Sequence, residues 1–311
     1  EIYTQVMTVS ARAREFEQVR PHLVAVAYRL TGTMADAEDV VQDAWLRWEA
    51  HRETVIDDLA AWLTTVVSRL SLDRLRSAAH RRETYVGQWL PEPVVTALDG
   101  SDPLAAVVAG EDARFAAMVV LEQLTPDQRV AFVLHDGFAM PFSEIAEVLG
   151  VTPAAARQLA SRARRTVAGA PKPADEHAEV VGKLLAAMAS GDVVAVVELL
   201  HPEVTFTGDA NRRAPTAPQV IRGRDKVARF LFGLARRYGP RLFEVAAPGL
   251  VNGELGMVTA GAAANDEWPA IAPRIQAMTV SAGRVVAIYD IANPDKFTGS
   301  PLGRDMVTGL G

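Results

Sequence analysis

Apolar residues recur at helical spacing through most of the first half of the chain. Val19, Leu23, Val26, Ala27 and Leu30 share one side of a predicted helix over 16–30, and Thr31-Gly32 stops it. Residues 1–9 carry no clear pattern. A second helix restarts at Met34 with acids in its first turns and Val40, Val41, Ala44 and Trp45 behind them. A third, over 59–75, turns Trp62, Leu63, Val66, Val67, Leu70 and Leu75 to its apolar side and leaves Ser68, Arg69, Ser71, Asp73, Arg74 and Arg76 as an outer face. Trp45, Trp48 and Trp62 fall at core spacing. Prolines and glycines at 89–93 (WLPEP) and at 99–103 then predict a linker. Helices resume at Glu111 through Met118, Leu121 and Leu124, and Thr125-Pro126-Asp127-Gln128 has the character of a helix start.

Residues 142–165, FSEIAEVLGVTPAAARQLASRARR, predict two short helices with a sharp corner. Ile145, Ala146 and Leu149 form the inner side of the first, and Gly150 stands where a helix end favours positive φ. Thr152 fits an N-cap and Pro153 the first helical position. The second helix turns Ala156, Leu159, Ala160, Ala163 and Val167 inward, and its small alanines permit a close helix crossing. Arg157, Gln158, Ser161, Arg162, Arg164 and Arg165 face out. That surface suits a DNA major groove, with the early residues near base edges and the later arginines near phosphates; a solvated basic helix is the plainer alternative.

After a second linker at 169–173 the pattern changes. Helices over 176–190 and 192–200 give way to strand-like segments at 204–207, 242–247, 255–260, 274–280 and 285–291, with a helix at 225–238. Helices followed by antiparallel-prone strands predict an α+β cone or open barrel, and 293–311 reads as a tail. The chain thus divides into an all-α segment at 10–84, a linker at 85–110, a helix-turn-helix segment at 111–169, a short linker at 170–174, an α+β domain at 175–292 and a tail at 293–311.

Composition narrows the picture. The 311 residues are 49% hydrophobic and 23% charged, no apolar run is long enough to span a membrane, and no basic-then-apolar leader opens the sequence, so a cytoplasmic protein is expected. The absence of cysteine excludes disulfides, thiolate metal sites and a cysteine nucleophile; neither metal nor cofactor is expected. A net charge of −6 argues against nucleic-acid binding until its distribution is considered. Arginines cluster at 69–82 and 157–165, and acids at 36–43. Only four lysines occur, so arginine, with its bidentate fork, carries the cationic surfaces. The acids at 36–43 suit the positive end of a helix dipole, but one turn of charge needs fewer than four carboxylates, so a partner with a basic surface stands as a second reading.

These segments resemble a known family in order. AYRLTG, DAEDVVQDAW and WLTTVVSRLSLDRLR within 12–83 resemble region 2 of the extracytoplasmic-function (group IV, sigma-70 family) sigma factors. LEQLTPDQRVAFVLHDGFAMPFSEIAEVLGVTPAAARQLASRARR resembles region 4, and WLPEP with the third domain resembles the subgroup carrying a fused SnoaL-like C-terminal domain. The resemblance implies two all-α sigma domains plus an α+β SnoaL/NTF2-like cone. It also implies that Asp36, Glu38, Asp39, Gln42 and Asp43 dock on the β′ clamp helices of core RNA polymerase, with region 4 near the β flap. Ser68, Arg69, Asp73, Arg74 and Arg76 would then capture the minus-ten element, although the family carries Asn at the position of Arg69. Arg157, Gln158, Ser161, Arg162, Arg164 and Arg165 would read the minus-thirty-five element. In this reading the chain is not an enzyme.

In the third domain, relatives carry a DGGGK motif where this chain has Asp209-Ala210-Asn211-Arg212-Arg213, which predicts loss of the motif's positive-φ geometry. Their NPDK motif persists as Asn293-Pro294-Asp295-Lys296. Asp209 and these four residues are expected to form a regulatory contact that joins domain and tail to the sigma core. Two rivals stay open. One is a one-component DNA-binding regulator sensing a small ligand, which leaves the acidic helix unexplained. The other is a SnoaL-like cyclase or isomerase with a DNA-binding appendage, for which His201, Asp209, Asp266, Tyr289 and Asp290 are the acid/base candidates and a pocket with two convergent groups is required.

Overall fold

The computed structural model describes residues 2–51, 56–82, 85–99, 103–169 and 174–297; most of the expected tail and of the linker at 170–174 therefore lies outside the described residues. The chain forms two compact units, residues 1–81 with 121–168, and 82–120 with 169–311.

The first unit is helical. α1 (Ile2–Thr31), α2 (Met34–Ala50) and α3 (Leu59–Arg82) bury Phe16, Leu23, Val26, Met34, Val40, Ala44, Leu63 and Val67. α1 starts at Ile2, within the stretch that showed no pattern. Gly32 ends it at φ +81, and a Cβ there would meet Glu122 Oε1 at 2.5 Å, so both conformation and space require glycine. Thr33 caps α2 by accepting from the Asp36 backbone N–H. Trp48 is buried and Trp45 and Trp62 are half-buried, with Phe16 edge-on to Trp45 at 4.9 Å.

The structure corrects one face of α3. Ser68 and Ser71, expected outside, are fully buried. They share a stripe with Thr64 and Leu75, and the Ser68 hydroxyl bends back to donate to the Thr64 carbonyl at 2.7 Å. A short hydroxyl that satisfies itself on its own helix packs where a longer polar side chain cannot.

The unit continues with α5 (Pro126–Phe132), a wide turn at Val133–Gly137, α6 (Phe142–Leu149) and α7 (Pro153–Val167). Thr125 and Gln128 form a reciprocal capping box at the start of α5. Arg129, 1% exposed, joins these helices to α1: its Nε donates to the Arg29 carbonyl at 2.9 Å and its Nη1 to Glu122 Oε1 at 2.7 Å.

The second unit is an α+β fold whose sheet has the order β1-β4-β5-β6-β7-β2-β3. Its strands are β1 (Val95–Thr96), β2 (Leu200–Asp209), β3 (Ile221–Arg222), β4 (Ala246–Val251), β5 (Glu254–Thr259), β6 (Arg274–Ser281) and β7 (Arg284–Ile291). All neighbours are antiparallel except β2 and β7. One face packs on α8 (His177–Ser190), α9 (Val193–Leu199) and α10 (Arg224–Tyr238) through Val181, Leu184, Val196, Phe206, Val227 and Ile288. Residues 242–244, expected as strand, belong to the short helix α11 (Arg241–Glu244); Pro240 starts it and the strand begins only at Ala246.

The other face is covered by the expected linker. β1 adds itself to the edge of β4, and Leu90, Val95 and Phe115 pack with Val251, Ile275, Ala277, Ile291 and Phe297. Phe115 opens the helix α4 (Phe115–Leu121). Arg114 pairs with Glu254 at 3.2 Å, and Asn252 accepts from the Val94 N–H while donating to the Ala113 carbonyl. Alternating strand positions bury this second face, and the proline-rich segment supplies the apolar cover it needs.

Candidate nucleic-acid and protein-docking surfaces

α7 presents the basic face expected to read a groove. Gly150 takes φ +68, Thr152 Oγ1 accepts from the Ala155 N–H at 3.2 Å, and Pro153 occupies the first turn. Ala156, Ala160 and Ala163 are completely buried, which brings α7 close against the helices beneath it. Arg157, Gln158, Ser161, Arg162, Arg164 and Arg165 are all exposed. Arg157 lies over the Phe142 ring at 5.6 Å, and Arg164 Nε pairs with Asp136 at 2.7 Å. The early part of the helix thus carries a guanidinium over an aromatic ring and an exposed amide, while Arg164 is held toward its own unit.

α2 presents the acidic face. Asp39, Gln42 and Asp43 are exposed, while Asp36 and Glu38 are half-buried. Glu38 pairs with Arg20, and Asp36 and Asp39 share Arg74 at 2.7 and 3.1 Å. Burial alone would lower the pKa of Arg74, but the two carboxylates outweigh it and raise the pKa. Glu38 and Gln42 also line an open groove with Phe16, Val41 and Trp45, and Leu46 beside it is 57% exposed.

On α3, Arg69, Asp73 and Arg76 are exposed and Arg74 half-buried, whereas Ser68 faces the packing side and leaves this surface. Arg69 reaches the Glu147 carbonyl at 3.4 Å and Arg76 pairs with Asp127 at 3.0 Å. The side chains of His80, Arg81 and Arg82 lie outside the described residues.

The regulatory candidates converge in the second unit. Asp209 is completely buried at the end of β2, where its Oδ2 accepts from Lys296 Nζ at 2.6 Å and from the Leu90 N–H at 2.7 Å. Its Oδ1 accepts from the Tyr85 hydroxyl, which in turn accepts from Asn293 Nδ2 at 3.0 Å. Lys296, 4% exposed, also donates to the Leu90 carbonyl and lies over the Trp89 ring at 3.5 Å. Burial first and Asp209 second push the Tyr85 pKa upward. Asn293 starts a single 3-10 turn, Pro294–Lys296, by accepting from the Asp295 N–H. Asp295 faces Arg213 across 3.4 Å. Asp209, Asn293 and Lys296 therefore clasp residues 85–90. The expected loss of turn geometry does not occur: Asn211 and Arg212 take φ +44 and +59 without glycine. The Arg213 N–H donates to the Ala210 carbonyl at 2.7 Å, and Asn211 Oδ1 accepts from the Val86 N–H, so the surrounding bonds hold the strained residues.

Three families match by sequence: Sigma-70 region 2 over residues 16–81, Sigma-70 region 4 over 114–167 and the SnoaL-like domain over 181–300. Over 293 residues the chain is 68% identical to the ECF RNA polymerase sigma factor SigJ of Mycobacterium tuberculosis, a match covering 93% of this chain and 94% of SigJ. The chain belongs to the extracytoplasmic-function sigma factors. The crystal structure of SigJ superposes on this sigma factor with a TM-score of 0.84 and 66% identity, covering 93% of this chain and 99% of that one. SigI of the same organism is 36% identical over 67% of this chain and 71% of its own length.

The sigma factor's acid/base candidates do not assemble into a catalytic group. Asp290 is buried and tied to Arg274 at 3.2 Å, Gln276 at 3.0 Å and Thr216 at 2.6 Å. Asp209 is held in the clasp, Tyr289 packs on Phe115 behind the sheet, Asp266 is exposed, and His201 accepts from the Glu203 N–H. The roles of Trp89 and the linker were missed at the level of sequence. WLPEP was the available signal, since a tryptophan and a leucine inside a linker need somewhere to bury.

Proposed function

We propose that this sigma factor docks on the β′ clamp helices of core RNA polymerase through the α2 face of Asp36, Glu38, Asp39, Gln42 and Asp43. Arg69, Asp73, Arg74 and Arg76 engage the minus-ten element, and the exposed face of α7 from Arg157 to Arg165 reads the minus-thirty-five element. The C-terminal domain and the residues after Phe297 adjust this activity. It acts in the cytoplasm, with polymerase and promoter DNA.

The observation that carries the reading is the division of exposed charge between two helices of one unit, acids on α2 and arginines on α7, each on a face its helix does not use for packing. Support for the regulatory part comes from the clasp, in which Asp209 and Lys296 hold residues that connect the two sigma regions. The test is transcription in vitro with purified core polymerase and a cognate promoter. Asp39→Ala with Asp43→Ala is expected to weaken core binding at least tenfold and reduce output; unchanged binding removes the docking assignment. A chain ending at Phe297 is expected to change output at equal core binding; unchanged transcription removes the regulatory role of the tail.

A further inference from the structure

In the second unit, α10 turns Val227, Ala228, Leu231 and Tyr238 inward. Its outer side is cationic. Lys226, Arg229, Arg236 and Arg237 are all exposed. At 3.6 residues per turn they fall within about one third of the helix circumference, over a length of about 16 Å. Residues 222–241 carry seven cations and one acid, Asp225, in a chain whose net charge is −6.

Among the described residues, none of these four side chains makes an ion pair or a hydrogen bond. Other surface cations of the chain are drawn onto acids: Arg20 pairs with Glu38, Arg76 with Asp127, and Arg213 with Asp295. The helix dipole does not account for the α10 face either. It favours Arg236 and Arg237 in the last turn, but Lys226 lies in the first turn, at the positive end, and Arg229 stands three residues on, where like charges repel. Gly233 interrupts the face between Arg229 and Arg236. Glycine weakens a helix interior, and space does not call for it here, since a Cβ would meet nothing within 4 Å. It leaves a low point between the cations where another backbone can approach closely.

We infer that this face of α10 binds the sugar-phosphate backbone of duplex DNA without regard to sequence, as a contact separate from that of α7. Phosphates recur about every 3.4 Å along each strand, so the face spans about five of them. Three of its four cations are arginines, whose planar fork suits phosphate oxygens better than scattered carboxylates. The helix has no amide side chain, and its one hydroxyl, on Tyr238, is buried, so nothing on this face reads a base edge. Duplex DNA as the partner rests on the promoter-directed role proposed above, and an α7 variant measured alongside separates a failure of that role from a failure of this contact.

The test is fluorescence anisotropy of the full chain with a labelled duplex of arbitrary sequence, across a salt series. Lys226→Gln, Arg229→Gln, Arg236→Gln and Arg237→Gln combined keep side-chain length and helix propensity. Together they are expected to lower affinity at least about tenfold at the lowest salt and to flatten the dependence of log affinity on log salt by about three. Circular dichroism should not change, and Lys226→Gln with Arg229→Gln alone should produce about half of the flattening. The comparison variant carries Arg157→Gln, Arg162→Gln and Arg165→Gln. An unchanged salt dependence in the α10 variant, while the α7 variant loses binding, overturns the α10 contact and leaves the α7 role standing. Loss in the α10 variant with none in the α7 variant supports the contact and counts against that role. A native chain that fails to bind duplex at low salt overturns the contact. So does poly-L-glutamate that competes with duplex equally per unit charge, which reassigns the face to an acidic polypeptide.

Discussion

Lys296 has the most consequential single environment in the second unit. Its ammonium is buried, paired with a completely buried Asp209 at 2.6 Å and laid on the Trp89 ring. Desolvating two charges costs much of what their attraction returns, so the pair adds little net stability, but removing one partner strands the other. Lys296→Met is expected to lower unfolding free energy by about 3–5 kcal/mol, and adding Asp209→Asn should recover part of it, as urea titration followed by tryptophan fluorescence would measure. His22 offers a second residue-scale prediction. It lies at the exposed rim of α1, bonded to Thr64 Oγ1 at 3.2 Å and edge-on to Phe138 at 5.2 Å. Burial and then the Arg29 guanidinium lower its pKa below the ordinary 6.5. The unfolded chain then binds the proton more tightly than the folded one. Stability from neutral His22 is thus complete above about pH 6.5 and is lost as the pH falls through the lowered folded value. Thermal midpoints should drop between pH 7 and 5 more steeply in the native sequence than in His22→Gln.

At the scale of the element, α7 shows how local rules suffice when a helix carries its own signals. The positive-φ glycine, the threonine cap and the first-turn proline fix where it begins, and the alanine spacing fixes which side faces inward. Arg157→Ala or Gln158→Ala is expected to change preference among upstream promoter sequences, by about 1–3 kcal/mol at the affected base. Arg165→Ala, exposed later on the same helix, is expected instead to weaken binding uniformly and flatten the dependence of log affinity on log salt by about one. Fluorescence anisotropy on promoter fragments across a salt series separates the two. α3 shows the opposite case. Its serines look like surface residues in a helical projection, yet Ser68 and Ser71 are buried because each hydroxyl is small enough to pack and Ser68 finds a carbonyl on its own helix.

In the molecule as a whole, the segment joining the two sigma regions folds with the C-terminal domain. Leu90, Val95 and Phe115 are 2%, 0% and 1% exposed against the sheet, and β1 completes its edge. A chain ending at Ala168 would leave these side chains without the surface that covers them. Such a truncation is expected to bind a hydrophobic dye such as ANS several-fold more strongly than the full chain and to lose solubility, as dye fluorescence and sedimentation would show.

Much of this protein is written locally. Amphipathic spacing, caps and turn residues determined the helices, four of the five strand segments, the basic face of α7 and the acidic face of α2, because each depends on neighbours within a few residues. The remainder depends on contacts between residues distant in the sequence. Asp209 with Lys296, Tyr85 and Leu90, and Val95 beside Val251, come together only once the sheet has formed. Likewise, Asn211 and Arg212 hold positive φ because the surrounding hydrogen bonds outweigh an intrinsic preference that the sequence alone would have obeyed.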